Sequence, residues 1–149
     1  MEVEEKTMLT RKQRYAECVF GQVDQLKKDS ESKPQKERET HRKSYGSMAH
    51  KLPVLIRTSG LAQALEFVHS RGKDEHKLLL NHLEKAVLGK DTDQESLLSR
   101  SRKAELSEYM RLTRDCLSAL LWYKRFAESV LGVKAGDEVE KNGMEGEEK

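Results

Sequence analysis

The feature that most constrains the fold is a stretch near the C-terminal end, 103–131, in which apolar residues recur at steps of three and four. Two such rows lie side by side, one of Tyr109, Leu112, Cys116, Ala119, Tyr123, Phe126 and Val130, the other of Leu106, Met110, Thr113, Leu117, Leu120, Lys124, Ala127 and Leu131. Together they make an apolar face broader than the ~100° of a simple surface helix. The stretch is therefore predicted to be a central helix packed on two sides.

The rest of the chain repeats the helical spacing in shorter segments and contains only two prolines. Thr10 and Gln13 have the spacing of a capping box, so a first helix is expected to begin there. Pro53 should break or kink the second helix, and Gly72 and Gly89 are expected to end later ones. The predicted helices before the long one are 10–28, 35–51, 52–58, 61–71 and 76–88. The expected fold is all-α, a compact bundle of about six helices around the long C-terminal helix.

Charge divides the chain into three parts. Residues 1–8 carry −2 and residues 134–149 carry −3, so the stretch 9–133 carries +7 within a net charge of +2. The terminal segment 134–149 is acidic and has almost no large apolar residues, a composition typical of disorder. We expect a flexible N-terminus over 1–8, a single helical domain over 9–133 and a disordered acidic tail over 134–149.

The sequence lacks the patterns that catalysis or metal binding would need. None of the five histidines has a metal-ligand spacing, and no nucleotide-binding or nucleophile motif is present. Cys18 and Cys116 are too few for a disulfide framework and are expected to be reduced, buried thiols. No apolar run approaches the ~20 residues that cross a membrane, and residues 1–10 do not resemble a secretory signal. We expect a cytoplasmic protein without enzymatic activity, cofactor, metal or small-molecule substrate.

Cations are concentrated where acids are excluded. The stretch 40–65 contains no Asp or Glu but holds Arg42, Lys43, Lys51 and Arg57. On the long helix, Arg111, Arg114, Ser118 and Arg125 fall on the polar face, and Lys124 occupies a row otherwise built for the core. Such surfaces suit a phosphate backbone. A solvated basic helix face is the simpler interpretation of position alone.

Two segments carry a resemblance to a known family. The stretch 45–72, YGSMAHKLPVLIRTSGLAQALEFVHSRG, and the stretch 117–133, LSALLWYKRFAESVLGV, resemble the small helical subunit of the Cmr complex, the type III-B CRISPR-associated effector. The segments LTRKQRYAECVF and AELSEYMRLTR also fit, so that the resemblance spans roughly 9–133. Residues 29–40 and the acidic tail lie outside it.

The resemblance implies an all-α, non-catalytic subunit that acts in antiviral RNA silencing. Several copies would stack as a minor filament along the crRNA-bearing backbone, beside the duplex of crRNA and target RNA. Its partners would be the other Cmr subunits, including the backbone subunit that cleaves target RNA, and further copies of itself. The cations that match family motifs, and are therefore the candidate RNA-binding residues, are Arg14, Lys51, Arg57, Lys124 and Arg125.

Two other functions stay open at the level of sequence. A helical adaptor could bind only protein, with its basic faces against acidic partner surfaces. A helix-turn-helix DNA-binding protein could use 40–65 as its recognition helix. Pro53 and the apolar residues around it argue against the DNA-binding function, because a recognition helix needs polar base-reading side chains.

Overall fold

The computed structural model describes residues 8–89 and 95–137. The described residues form six helices and no strand, which confirms the predicted all-α fold. The helices are α1 (Arg11–Ser30), α2 (Gln35–Ser59), α3 (Leu61–Arg71), α4 (Asp74–Leu88), α5 (Leu97–Lys103) and α6 (Leu106–Ser129). No helix among these residues is long and apolar enough to cross a membrane. The expected flexible residues 1–7 and most of the expected disordered tail, 138–149, lie outside the described residues.

Helix α6 is the centre of the bundle and packs mainly on α2 and α1. Arg11 meets Asp115 and Phe20 meets Phe126, so α1 runs in the same direction as α6. The segment after α6 returns to α2, where Val133 accepts a hydrogen bond from His50. A Cβ atom on Gly46 would lie 2.7 Å from the Cβ of Val133, so α2 needs glycine at this crossing.

Several predicted boundaries are confirmed. Thr10 and Gln13 form the reciprocal hydrogen bonds of a capping box at the start of α1. Gly72 and Gly89 follow the last residues of α3 and α4, each with a positive φ. Leu112, Cys116, Ala119, Leu120, Tyr123 and Ala127 of the two apolar rows are buried along α6. The rows therefore build the core over most of that helix.

The predicted boundary at Pro53 is wrong, because α2 continues through it to Ser59. An internal proline costs ~3 kcal/mol or more, since it removes a donor and crowds the preceding turn. Buried residues on both sides of it, Leu52 and Ile56, keep the segment packed in the core. Burying each such side chain contributes ~1.5–3 kcal/mol, enough to outweigh the proline.

Three other boundaries differ from the prediction. α4 begins at Asp74 rather than His76, since acidic residues suit the first turn of a helix. A short helix that was not predicted, α5, begins after Ser96, whose side chain caps it. The long helix therefore begins at Leu106 rather than 103, and it ends at Ser129. Leu106 and Met110 were expected in the core but are 72% and 58% exposed, because no described helix covers the face of α6 on which they lie.

Candidate nucleic-acid interface

The polar face of α6 is a row of exposed cations. Arg111, Arg114 and Arg125 are exposed, and Ser118 is half-buried between them. Positions three, four and seven apart share a face of a helix, so Leu121, between Ser118 and Arg125, lies on the same face as these residues. We call Arg111, Arg114, Lys124 and Arg125 the α6 ridge. None of the four makes a hydrogen bond or ion pair with another described residue.

Lys124 and Arg125 are neighbours in sequence but point about 100° apart around α6. Arg125 is exposed, whereas Lys124 is half-buried beside the core residue Tyr123. A lysine in this position packs its aliphatic stem against apolar neighbours and keeps its ammonium in water. The apolar row therefore continues through Lys124 without burying a charge.

Arg57 is brought to the ridge by the packing of α2 against α6. It lies with Arg114 on the rim of a groove of about 660 Å³ between these helices. The other residues that line the groove are mainly apolar: Tyr109, Met110, Thr113, Leu117, Ser118 and Leu121. Tyr109 is held in place because its hydroxyl accepts a hydrogen bond of 3.1 Å from the backbone N–H of Ala62, at the start of α3.

Lys51 faces a different part of the molecule. It lies six positions before Arg57, which corresponds to about 120° around a helix. Its charge acts on His76 of α4, together with those of Arg71 and Lys73. Burial, reinforced by these cations, lowers the pKa of His76 from 6.5 to about 4. Lys51 therefore lies near the N-terminal end of α4, away from the groove.

Arg14 lies on a third surface. Its side chain is exposed on α1, and its Nη1 donates a hydrogen bond of 2.9 Å to the carbonyl of Leu9. Of the five candidate cations, only Arg57 lines the groove; Lys124 and Arg125 lie on α6, Lys51 lies on another side of α2, and Arg14 lies on α1. The spacing of residues in the sequence could not show this division, because it depends on how the helices pack.

The buried polar groups connect helices rather than form a reactive site. The Tyr45 hydroxyl lies 2.7 Å from Nδ1 of His82, and the Tyr123 hydroxyl donates to Gln22. Burial, with a smaller contribution from Lys85, lowers the pKa of His82 to about 4, so that its imidazole is neutral at pH 7. These contacts join α1, α2, α4 and α6.

The thiols and the acidic residues do not form a metal site in the part of the chain that the structure describes. Cys18 is half-buried and Cys116 is buried, and neither forms a disulfide. Burial raises the pKa of the Cys116 thiol to about 12, which keeps it protonated and a poor nucleophile.

Sequence reasoning found the cations of the ridge but missed what lies beside them. It assigned Leu106 and Met110 to the core, and it did not find Tyr109 as the partner of the α3 N-terminus. The one available signal was Lys124, a charged residue in an apolar row, which indicated that the row had an exposed side.

Comparison with known proteins identifies the family. Residues 11–130 match the model of the CRISPR-associated protein family Cas_Cmr5. Over 124 residues the chain is 44% identical to the CRISPR system Cmr subunit Cmr5 of Thermus thermophilus, covering 83% of this chain and 98% of that protein. It is also similar to the crystal structure of a CRISPR-associated Cmr5 family protein from Thermus thermophilus, with a TM-score of 0.67 and 41% identity over 83% of this chain and 99% of that one. The chain described here belongs to the Cas_Cmr5 family.

Proposed function

We propose that this chain is a non-catalytic subunit of a type III-B Cmr ribonucleoprotein complex and that Lys124 and Arg125 of its α6 ridge contact RNA. The family match and the name of the Thermus relative, a Cmr subunit, support the first part. The observation that carries the second part is that the exposed Arg125 and the half-buried Lys124 on α6 have no ion-pair partner among the described residues. Cations that are left unpaired on a protein surface are available to neutralise phosphates.

The proposed contact is with the RNA backbone rather than with the bases. Lys124 and Arg125 can each neutralise a phosphate, and such contacts position a protein without specifying sequence. In an RNA-guided complex, base pairing between guide and target supplies the specificity. A small subunit that stacks in several copies along the crRNA-bearing backbone multiplies a few cations into a continuous basic surface.

The remaining parts of the proposal follow from this role. The chain acts as one helical domain over 9–133, in the cytoplasm, in antiviral RNA silencing, while other subunits cleave target RNA. Arg14 and Lys51 stay predicted phosphate contacts on separate surfaces. Arg57 faces apolar side chains across the groove, so the proposal depends mainly on Lys124 and Arg125.

The alternative function is that of an adaptor that binds only protein. The apolar groove between α2 and α6 favours it, because aliphatic side chains offer nothing to a phosphate. The two functions predict different responses to salt, since only RNA binding releases counterions from nucleic acid.

The test measures target-RNA affinity of the reconstituted complex over a series of salt concentrations. The variant is Lys124→Ala with Arg125→Ala, and the matched control is Lys36→Ala with Lys77→Ala, two exposed lysines on α2 and α4. The first pair should lower the salt slope by about 0.7 per cation, as expected for single-stranded RNA, equally for all guide sequences. The control should leave the slope unchanged.

Normal assembly of the Lys124 and Arg125 variant with an unchanged salt slope would contradict RNA contact and favour the adaptor. A loss shared equally by the control would also contradict it, because it would show only the effect of net charge.

A further inference from the structure

The groove between α2 and α6 has an apolar floor that is open to solvent. Met110 and Leu121 are 58% and 45% exposed and line it. Val54, one helical turn before Arg57, and Leu106, one turn before Met110, are 56% and 72% exposed. Helical spacing places both next to the groove. A group of exposed apolar side chains of this kind is typical of a surface that binds another protein.

The rims of the groove carry positive charge that the rest of the described chain does not neutralise. Arg57 stands on the α2 side and Arg114 on the α6 side, and neither has a hydrogen bond or ion pair with a described residue. Two other exposed arginines are paired within the chain: Arg102 binds Glu66 at 2.7 Å, and Arg11 binds Asp115 at 2.9 Å. A guanidinium binds a carboxylate through two parallel hydrogen bonds, which fixes geometry as well as charge.

We propose that this groove binds an amphipathic helix of another protein, with an apolar row on the floor and carboxylates against Arg57 and Arg114. Both walls are helices, whose backbone groups are already paired, so a strand could not add to them. A helix in a groove uses apolar anchors at i, i+3, i+4 and i+7 instead. The inference rests on the proposed function only for the source of the helix, another subunit of the Cmr complex.

The groove is formed before the partner arrives. Tyr109, on its wall, is fixed to the start of α3 by the hydrogen bond from Ala62. Leu117 and Thr113 are half-buried and belong to the packed face of α6. A preformed groove loses little conformational entropy on binding, which favours a specific partner. Arg57 then binds a carboxylate of this partner rather than a phosphate.

The experiment places the photo-crosslinking residue benzoylphenylalanine at position 110 of the full chain within the purified Cmr complex. The matched control has it at position 8, where Met8 is 89% exposed before α1. Irradiation should join position 110 to a segment of another subunit that carries apolar residues at helical spacing and at least two carboxylates. Position 8 should not crosslink to that segment. A crosslink from position 110 to RNA, to a second copy of the chain or to residues 138–149, or no crosslink, would overturn the proposal.

Substitutions measure the energy of the same contact. Met110→Asn and Arg57→Glu should each weaken binding of the chain to the rest of the complex about tenfold, whereas Met8→Asn should leave it unchanged. Each variant is first checked for an unaltered melting temperature, since these side chains are exposed. Equal binding by Met110→Asn and Met8→Asn would overturn the groove as the docking site.

Failure of the proposed function would look different. If the wild-type chain did not enter a Cmr complex at all, both the proposed function and the source of the helix would be wrong. If it entered and bound RNA through Lys124 and Arg125 but did not crosslink as expected at position 110, only the groove inference would fail.

Discussion

On the side of helix α6 that packs against α1, side chains form ion pairs, hydrogen bonds and ring contacts with α1. At the groove, side chains of the same helix are exposed to solvent. Arg11 pairs with Asp115, Tyr123 donates to Gln22, and the rings of Phe20 and Phe126 meet edge to face at 5.4 Å. Arg114 and Leu121, on the same helix, have no such contacts with described residues in the groove. The closed side therefore contributes to stability, and the groove is left available for binding.

The contrast appears between neighbouring residues. Leu120 is fully buried, and Leu121, the next residue, is 45% exposed in the groove. The two side chains are chemically identical and lie on one helix, so their difference in burial isolates the effect of packing. A stability measurement on this pair tests the comparison directly.

The largest expected effect is on Leu120. Leu120→Ala removes buried apolar surface and leaves a cavity, which should lower the free energy of unfolding by ~2–5 kcal/mol. Leu121→Ala should change it by less than ~1 kcal/mol, because the side chain is already in water in the isolated chain. Chemical denaturation of both variants gives the two values. Similar losses for the two variants would mean that Leu121 is packed as closely as the core residue Leu120.

Most of the fold could be predicted from the sequence because periodicity is a local property. The capping box at Thr10 and the apolar rows of α6 each depend on residues within a few turns, and both are confirmed. Pro53 shows where local reasoning fails. Its cost is local, but the packing of Leu52 and Ile56 that outweighs it comes from other helices.

The candidate site could be predicted only in part. The sequence identified the cations and the family, but not which cations share a surface. Lys51 and Arg57 are close in sequence and point in different directions, because α2 contacts α4 on one side and α6 on another. The groove could not be predicted from the sequence for the same reason. Met110 has the same helical spacing as the buried residues of α6, but no described helix covers it.

The second prediction concerns pH and the histidines of α4. Burial lowers the pKa of His82 from 6.5 to about 4, whereas an unfolded chain keeps a pKa near the ordinary value. Between these values the unfolded state binds the additional proton, so stability should fall as the pH drops through this window. His82 should contribute a loss on the order of 1–2 kcal/mol by pH 5, and His76 acts in the same direction. Above about pH 7, neither imidazole should contribute to the pH dependence of the free energy of unfolding.

Thermal unfolding of the wild type and of His82→Asn between about pH 7.5 and about pH 4.5 checks this result, since the range spans the window in which the two states bind different numbers of protons. The variant should lose part of the pH dependence, while His69→Gln, at an exposed position of α3, should keep all of it. A wild-type melting temperature that does not fall toward the acidic end of this range would show that neither buried imidazole resists protonation.

The smallest expected effect is the change in stability when either of two arginines, Arg11 or Arg114, is replaced. Arg11→Ala removes the partner of Asp115, whose side chain is only 17% exposed, and should cost up to ~1 kcal/mol. Arg114→Ala removes no described ion pair and should change stability by less than ~0.5 kcal/mol. A double-mutant cycle with Asp115→Asn isolates the pair energy of Arg11 from the general effect of charge. Asp115 is adjacent to Arg114 in sequence but points toward α1, so the same cycle with Arg114→Ala should give an energy near zero. An equal coupling of Asp115 to both arginines would mean that it stabilises the ridge as well, and the division of α6 into a closed side and an open groove would not hold.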